Sequence, residues 1–153
     1  MLREFVANKH TAYHQRFDSW EEAIQAGCEP LLRDNTITQD YVHSVIQCVK
    51  DYGPYIVIAP MIAMPHASTG AVGVNKTQIG FMKVEEPVHF TPGDSEKDAK
   101  LFFTLAAVDC DEHLVNMVKL AELLMNENLV AELMNVKSDD DLLEVASKYC
   151  SSK

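Results

Sequence analysis

Gly53-Pro54-Tyr55-Ile56-Val57-Ile58-Ala59-Pro60-Met61-Ile62-Ala63-Met64-Pro65-His66-Ala67 is the stretch on which the reading of this chain turns. Residues 55–59 form an apolar, β-branched run, the pattern of a buried strand, and Pro60 ends it. A short apolar segment follows, and Pro65 delivers His66 to a run of small residues, Ala67-Ser68-Thr69-Gly70. An imidazole at the end of a buried strand is a candidate nucleophile or proton carrier, and equally a turn or core histidine. The rest of the chain has to decide between them.

Outward from this stretch, the 153 residues suffice for one compact domain, and 47% hydrophobic with 24% charged residues is ordinary for a globular protein. The net charge of −10 argues against a nucleic-acid binder and fits a protein partner with a basic docking face. No C-x-x-C pair occurs among Cys28, Cys48, Cys110 and Cys150, so neither a zinc ribbon nor a dithiol redox motif is expected. No apolar run approaches the ~20 residues of a membrane helix. A secretory signal is not read either, so the expected location is cytoplasmic, with free thiols.

On the N-terminal side, residues 1–17 lack a sustained period and are expected to form an arm, the domain proper spanning 18–153. His10 and His14 stand at a helical metal-binding interval, but no acidic or Cys partner accompanies them. Ser19 can cap a helix with Glu21 and Glu22 in its first turn, and Pro30 is expected to kink or end it. Thr38 caps a second helix, which Gly53-Pro54 stops. On the C-terminal side, 77–84 reads as a strand broken by Glu85-Glu86-Pro87, and 88–90 as a short edge strand. An acidic loop precedes 101–108, whose continuous apolar run fits a strand buried on both faces. Three helices follow: one from Asp109 to about residue 125, a short one over 129–136, and one capped by Ser138 that reaches about Tyr149. The fold class is α/β, a single-domain mixed β-sheet flanked by helices on both faces.

Two histidines then stand at comparable places. His66 follows the first strand, and His113 lies in the first turn of the helix after the most buried strand. If those strands are parallel neighbours, both imidazoles reach one cleft at the carboxyl ends of the strands, where a helix start adds N–H groups favourable to an anion. A neutral imidazole can attack phosphorus, so a phosphoryl group fits this arrangement. Ser68 and Thr69 beside His66 do not make a triad, which needs a third orienting group and an oxyanion hole.

The stretch 53–67 closely resembles the phosphorylated-histidine motif of the mannitol/fructose-type EIIA domains of the bacterial phosphoenolpyruvate-dependent sugar phosphotransferase system. Within that superfamily it is most similar to the ascorbate-type proteins. Ala106-Ala107-Val108-Asp109 followed by Glu112-His113 resembles the family's second histidine block. The resemblance covers roughly residues 18–150. It implies that His66 takes a phosphoryl group from the phosphocarrier HPr and passes it to a cysteine of a cognate EIIB. A sugar or sugar acid (ascorbate-like) then enters through a membrane EIIC that this chain meets only indirectly. It implies that His113 hydrogen-bonds the phosphoryl oxygens, that no metal or organic cofactor is needed, and that the chain neither inserts in a membrane nor binds nucleic acid. An alternative is a regulatory EIIA-like module that docks to a partner according to its phosphorylation state.

Two departures stand out. Met61 occupies a position where these motifs usually carry glycine, so an altered turn is expected. Mannitol-type members carry an Arg in the preceding helix; the nearest match is Lys50, a candidate substrate-binding residue that lacks the bidentate fork.

Overall fold

The structure is a computed structural model and describes residues 1–67 and 72–149. Five strands form one mixed sheet in the order β1-β4-β5-β3-β2. They are β1 (Thr11–His14), β2 (Val57–Ala59), β3 (Met61–Ala63), β4 (Gln78–His89) and β5 (Asp98–Ala106). The helices are α1 (Leu2–Ala7), α2 (Trp20–Arg33), α3 (Gln39–Tyr52), α4 (Cys110–Leu124), α5 (Glu127–Leu133) and α6 (Asp139–Tyr149). β4 and β5 pair antiparallel at the centre; β1 joins β4 and β3 joins β5 in parallel, and β2 caps the edge antiparallel to β3.

Each central strand sends alternate side chains to opposite faces, and each face has its own core. Met82, Val84, Phe102 and Ala106 pack with Ala23, Ile24, Leu31, Val42 and Val45 of α2 and α3. Phe81, Leu101, Phe103 and Leu105 pack with Leu2, Phe5, Leu120, Leu129, Leu142 and Val145 of α1, α4, α5 and α6. The expected helix-flanked mixed sheet is therefore present, with β5 buried on both sides. The Ser19 hydroxyl accepts the Glu22 N–H at 3.2 Å, and the Ser138 hydroxyl accepts the Asp141 N–H at 3.3 Å, as their sequence positions suggest. Gly53 closes α3 with a φ of +85°.

Four expectations are corrected. Residues 1–17 are not an arm: Leu2 and Phe5 are buried, and β1 is an edge strand of the sheet. Two burying side chains suffice to dock a six-residue helix, too short to show a period. Of the two outcomes expected at Pro30, the helix does not end there: α2 runs on to Arg33 and is closed at Asp34. The segment Glu85-Glu86-Pro87 does not break the strand. It lies inside β4, where the pairing with β5 shifts register between Lys83 and Val88, so the N–H that proline lacks is not missed by the ladder. Pro60 does not simply terminate a strand: it begins the turn of a β2–β3 hairpin that pairs Val57 with Ala63. In that turn Met61 has a φ of +70°. The methionine thus adopts the left-handed conformation suited to glycine, a strain of about 1–2 kcal/mol.

Candidate active site

The parallel pairing of β3 with β5 aligns Ile62 with Leu101 and Ala63 with Phe102. Both strands therefore end on the same side of the sheet. β3 continues through Met64-Pro65 to His66; β5 continues to Asp109, which caps α4, and to His113 in its first turn. The two imidazole centroids lie 5.3 Å apart with planes inclined at 47°. The two imidazoles meet, but not by the expected route: the run 55–59 forms the edge strand β2, antiparallel to β3, and it is the following segment, β3, that lies parallel to β5 and leads to His66.

His66 is held on several sides. Its Nδ1 lies 2.6 Å from the Met64 carbonyl oxygen. A carbonyl only accepts, so Nδ1 carries the proton and the lone pair is on Nε2. The Tyr55 ring meets the imidazole edge-on at 5.2 Å and 86°, and its hydroxyl donates to the backbone carbonyl of His66 itself. The next residue, Ala67, donates its N–H to the Tyr41 hydroxyl at 3.3 Å. Behind the site, Leu105 N–H donates to the Pro65 carbonyl at 2.9 Å, and Met64 N–H to the Ile56 carbonyl at 2.8 Å.

Electrostatics favour the neutral ring. Burial lowers the pKa of His66 below the usual 6.5; the Met64 carbonyl opposes this, and the neighbouring His113 adds to the lowering. Burial lowers that of His113 as well. At neutral pH both are unprotonated, the form in which Nε2 is a nucleophile. The His113 ring makes no hydrogen bond to another described residue.

The helix start offers less to an anion than expected. The Asp109 carboxylate takes the Glu112 N–H at 2.8 Å, and its carbonyl takes the His113 N–H at 3.1 Å. Asp111 and Glu112 add negative charge in the same turn. Lys50 is exposed in the last turn of α3, and no hydrogen bond or ion pair joins it to either histidine among the described residues. Ser68 and Thr69 lie outside the described residues. His10 is buried and bonded to Asp34 at 2.7 Å, while the His14 ring packs on Phe17. Neither histidine of this site lines the cleft of about 600 Å³ between α1, the start of β4 and α4.

Sequence reading passed over Tyr41 and Tyr55. Tyr55 stands in plain view inside the motif, whereas Tyr41 falls at a helical spacing with Val42, Val45 and Val49, a pattern that reads as core.

The family model described as "Phosphoenolpyruvate-dependent sugar phosphotransferase system, EIIA 2" matches residues 4–149. The chain belongs to this EIIA family. It is 34% identical over 129 residues, 84% of this chain and 86% of the relative, to the mannitol-specific cryptic phosphotransferase enzyme IIA component of Escherichia coli. A solution structure under that name has a TM-score of 0.80 at 31% identity, covering 96% of this chain and 98% of the other. The ascorbate-specific EIIA component of Escherichia coli is 28% identical over 149 residues, 96% of each chain. An Escherichia coli mannitol IIA solved in complex with phosphorylated mannitol IIB shares the fold, with a TM-score of 0.77 at 23% identity over 92% of this chain and 95% of that one. The chain is thus an EIIA component of the sugar phosphotransferase system. Among its described residues no helix is long and apolar enough to cross a membrane.

Proposed function

We propose that this EIIA component carries a phosphoryl group on His66 Nε2, from HPr to a cysteine of a cognate EIIB, in the uptake of a sugar or sugar acid of the ascorbate type. The observation that carries the reading is the tautomer of His66. With Nδ1–H tied to the Met64 carbonyl, the lone pair is on Nε2, in a ring whose centroid lies 5.3 Å from that of His113. In the first step Nε2 forms a bond to phosphorus as the bond to the donor imidazole breaks, and the donor keeps the electron pair. No proton leaves His66, because the attacking nitrogen carries none. In the second step the partner's thiolate attacks phosphorus, the N–P bond breaks, and Nε2 recovers its lone pair. His113 hydrogen-bonds the equatorial oxygens in both directions, so the chain's work is positioning and charge stabilisation.

Protein partners suit a pair of histidines that sits outside the ligand-sized cleft, and the acidic surface suits a basic docking face. The ascorbate-specific relative, matched over nearly the whole of both chains, supports the substrate class. Incubation with phosphoenolpyruvate, enzyme I and HPr should label the chain once, acid-labile, and His66→Ala should abolish the label. Robust labelling of that variant would sink the assignment. His113→Ala is expected to accept phosphate but to transfer it poorly to EIIB.

A further inference from the structure

The two strands that deliver His66 and His113 are not held in place by their ladder alone. β3 contributes three residues, and its pairing with β5 shifts register within them. Where the strands end, a phenol takes over. Tyr41, buried in the first turn of α3, donates its hydroxyl to the Leu105 carbonyl at 2.7 Å and accepts the Ala67 N–H at 3.3 Å. Leu105 belongs to the strand that leads to His113, and Ala67 directly follows His66. One hydroxyl therefore bridges the two exits. Tyr55 completes the clamp from the far side, through its bond to the His66 carbonyl and the edge of its ring. Burial raises the Tyr41 pKa to about 12, so the hydroxyl keeps the proton it donates.

We propose that Tyr41 and Tyr55 are positioning residues, whose hydroxyls fix His66 Nε2 relative to the His113 ring. The inference rests on the proposed phosphoryl transfer for its consequence, but not for its geometry. Removing a hydroxyl while keeping the ring frees the backbone on one side of His66 and leaves the docking surface intact. A misplacement of ~1 Å can cost on the order of 100-fold in rate, and since one clamp remains in each single variant, roughly 10-fold is expected for each.

The test uses Tyr41→Phe, Tyr55→Phe and the double variant. Transfer from phospho-HPr is measured as kcat and KM, and the His66 ring is followed by nitrogen-15 NMR through a pH titration. The expected result is a fall in kcat with KM unchanged, a larger fall in the double variant, and weaker Nδ1–H character at His66 with a titration midpoint shifted towards 6.5. A loss of thermal stability with kcat, tautomer and titration all unmoved would overturn the clamp and leave the tyrosines as packing residues. Absence of any label on the wild-type chain would overturn the carrier function alone, since the NMR readings do not depend on transfer. Should Tyr41→Phe fail to fold, Tyr55→Phe decides the matter by the same readings.

Discussion

Gly73 offers a sharp test of how residue 73 is seated on the start of α3. Its φ is +86°, and a Cβ there would lie 2.7 Å from both the Thr38 hydroxyl oxygen and the Tyr41 backbone nitrogen, and 3.1 Å from the Tyr41 Cβ. Its carbonyl accepts the Thr38 N–H at 2.8 Å at the start of α3. Gly73→Ala therefore carries two separable costs. The left-handed conformation costs about 1–2 kcal/mol for a residue with a side chain. Crowding against backbone forces a shift that weakens the Thr38 bond, another ~1 kcal/mol. Reduced freedom of the unfolded chain returns about 0.4–1 kcal/mol, for a net loss of roughly 2 kcal/mol. Gly93 separates the two: its φ is +82°, but nothing lies within 4 Å of its Cβ position. Gly93→Ala should lose only the conformational part, about 1 kcal/mol or less. Urea unfolding of both variants, with m-values compared, gives the difference directly. If Gly73→Ala costs no more than Gly93→Ala, the close seating of residue 73 on α3 is wrong.

Other outcomes follow from single contacts. Because the unfolded chain's histidines titrate near 6.5 and His66 and His113 below it, the unfolded state binds more protons under about pH 6.5. These two residues should leave stability unchanged above that pH and reduce it as pH falls, and an NMR midpoint for His66 at or above 6.5 would contradict the burial. Lys83 is 1% exposed and bonds Glu85, itself 30% exposed, at 2.5 Å. Glu85→Ala strands a buried ammonium and should cost ~3 kcal/mol in denaturant titration, whereas Lys83→Met should stay within ~1 kcal/mol of wild type; the reverse order would refute a buried charge. Asp109→Ala removes the cap of α4 and should lose about 1 kcal/mol, with slower transfer to EIIB because the first turn carries His113. Unchanged stability and transfer would show that the cap does not set that turn.

The helices and the two histidines were legible because their signals are local. Ser19, Ser138, Gly53 and the run 101–108 each announce a start, a stop or a burial pattern within a few residues. The N-terminal elements were not: six helical and four strand residues cannot display a period, and only Leu2 and Phe5 hint at burial. The β2–β3 hairpin hid behind Pro60: only the comparison with glycine marks a turn at Met61, since a methionine gives no sign of its own that the chain doubles back there. Pro87 concealed the continuity of β4 for a similar reason: a bulge absorbs it. The meeting of the histidines is expected from parallel pairing of the run 55–59 with 101–108, but β2 is an edge strand, and β3, whose three residues are too few to show an alternation, makes that pairing instead. The tyrosine clamp spans 64 residues between Tyr41 and Leu105, a pairing that no local pattern encodes.

The packing of α1 bears on how the molecule comes together. Leu2 and Phe5 share one core with Leu142, Val145 and Ala146 of α6, and Thr11 and Tyr13 both donate hydroxyls to Asp139 at its start. Elements at the N-terminal side thus wait for α6, which is synthesised after α1–α5. That face of the sheet cannot close while α6 is still in the ribosome, and its apolar surface stays open until then. The α2–α3 face draws its contacts from residues before 107, so it can consolidate earlier. Folding should therefore proceed one face at a time, with the late face setting the rate and the exposure to aggregation.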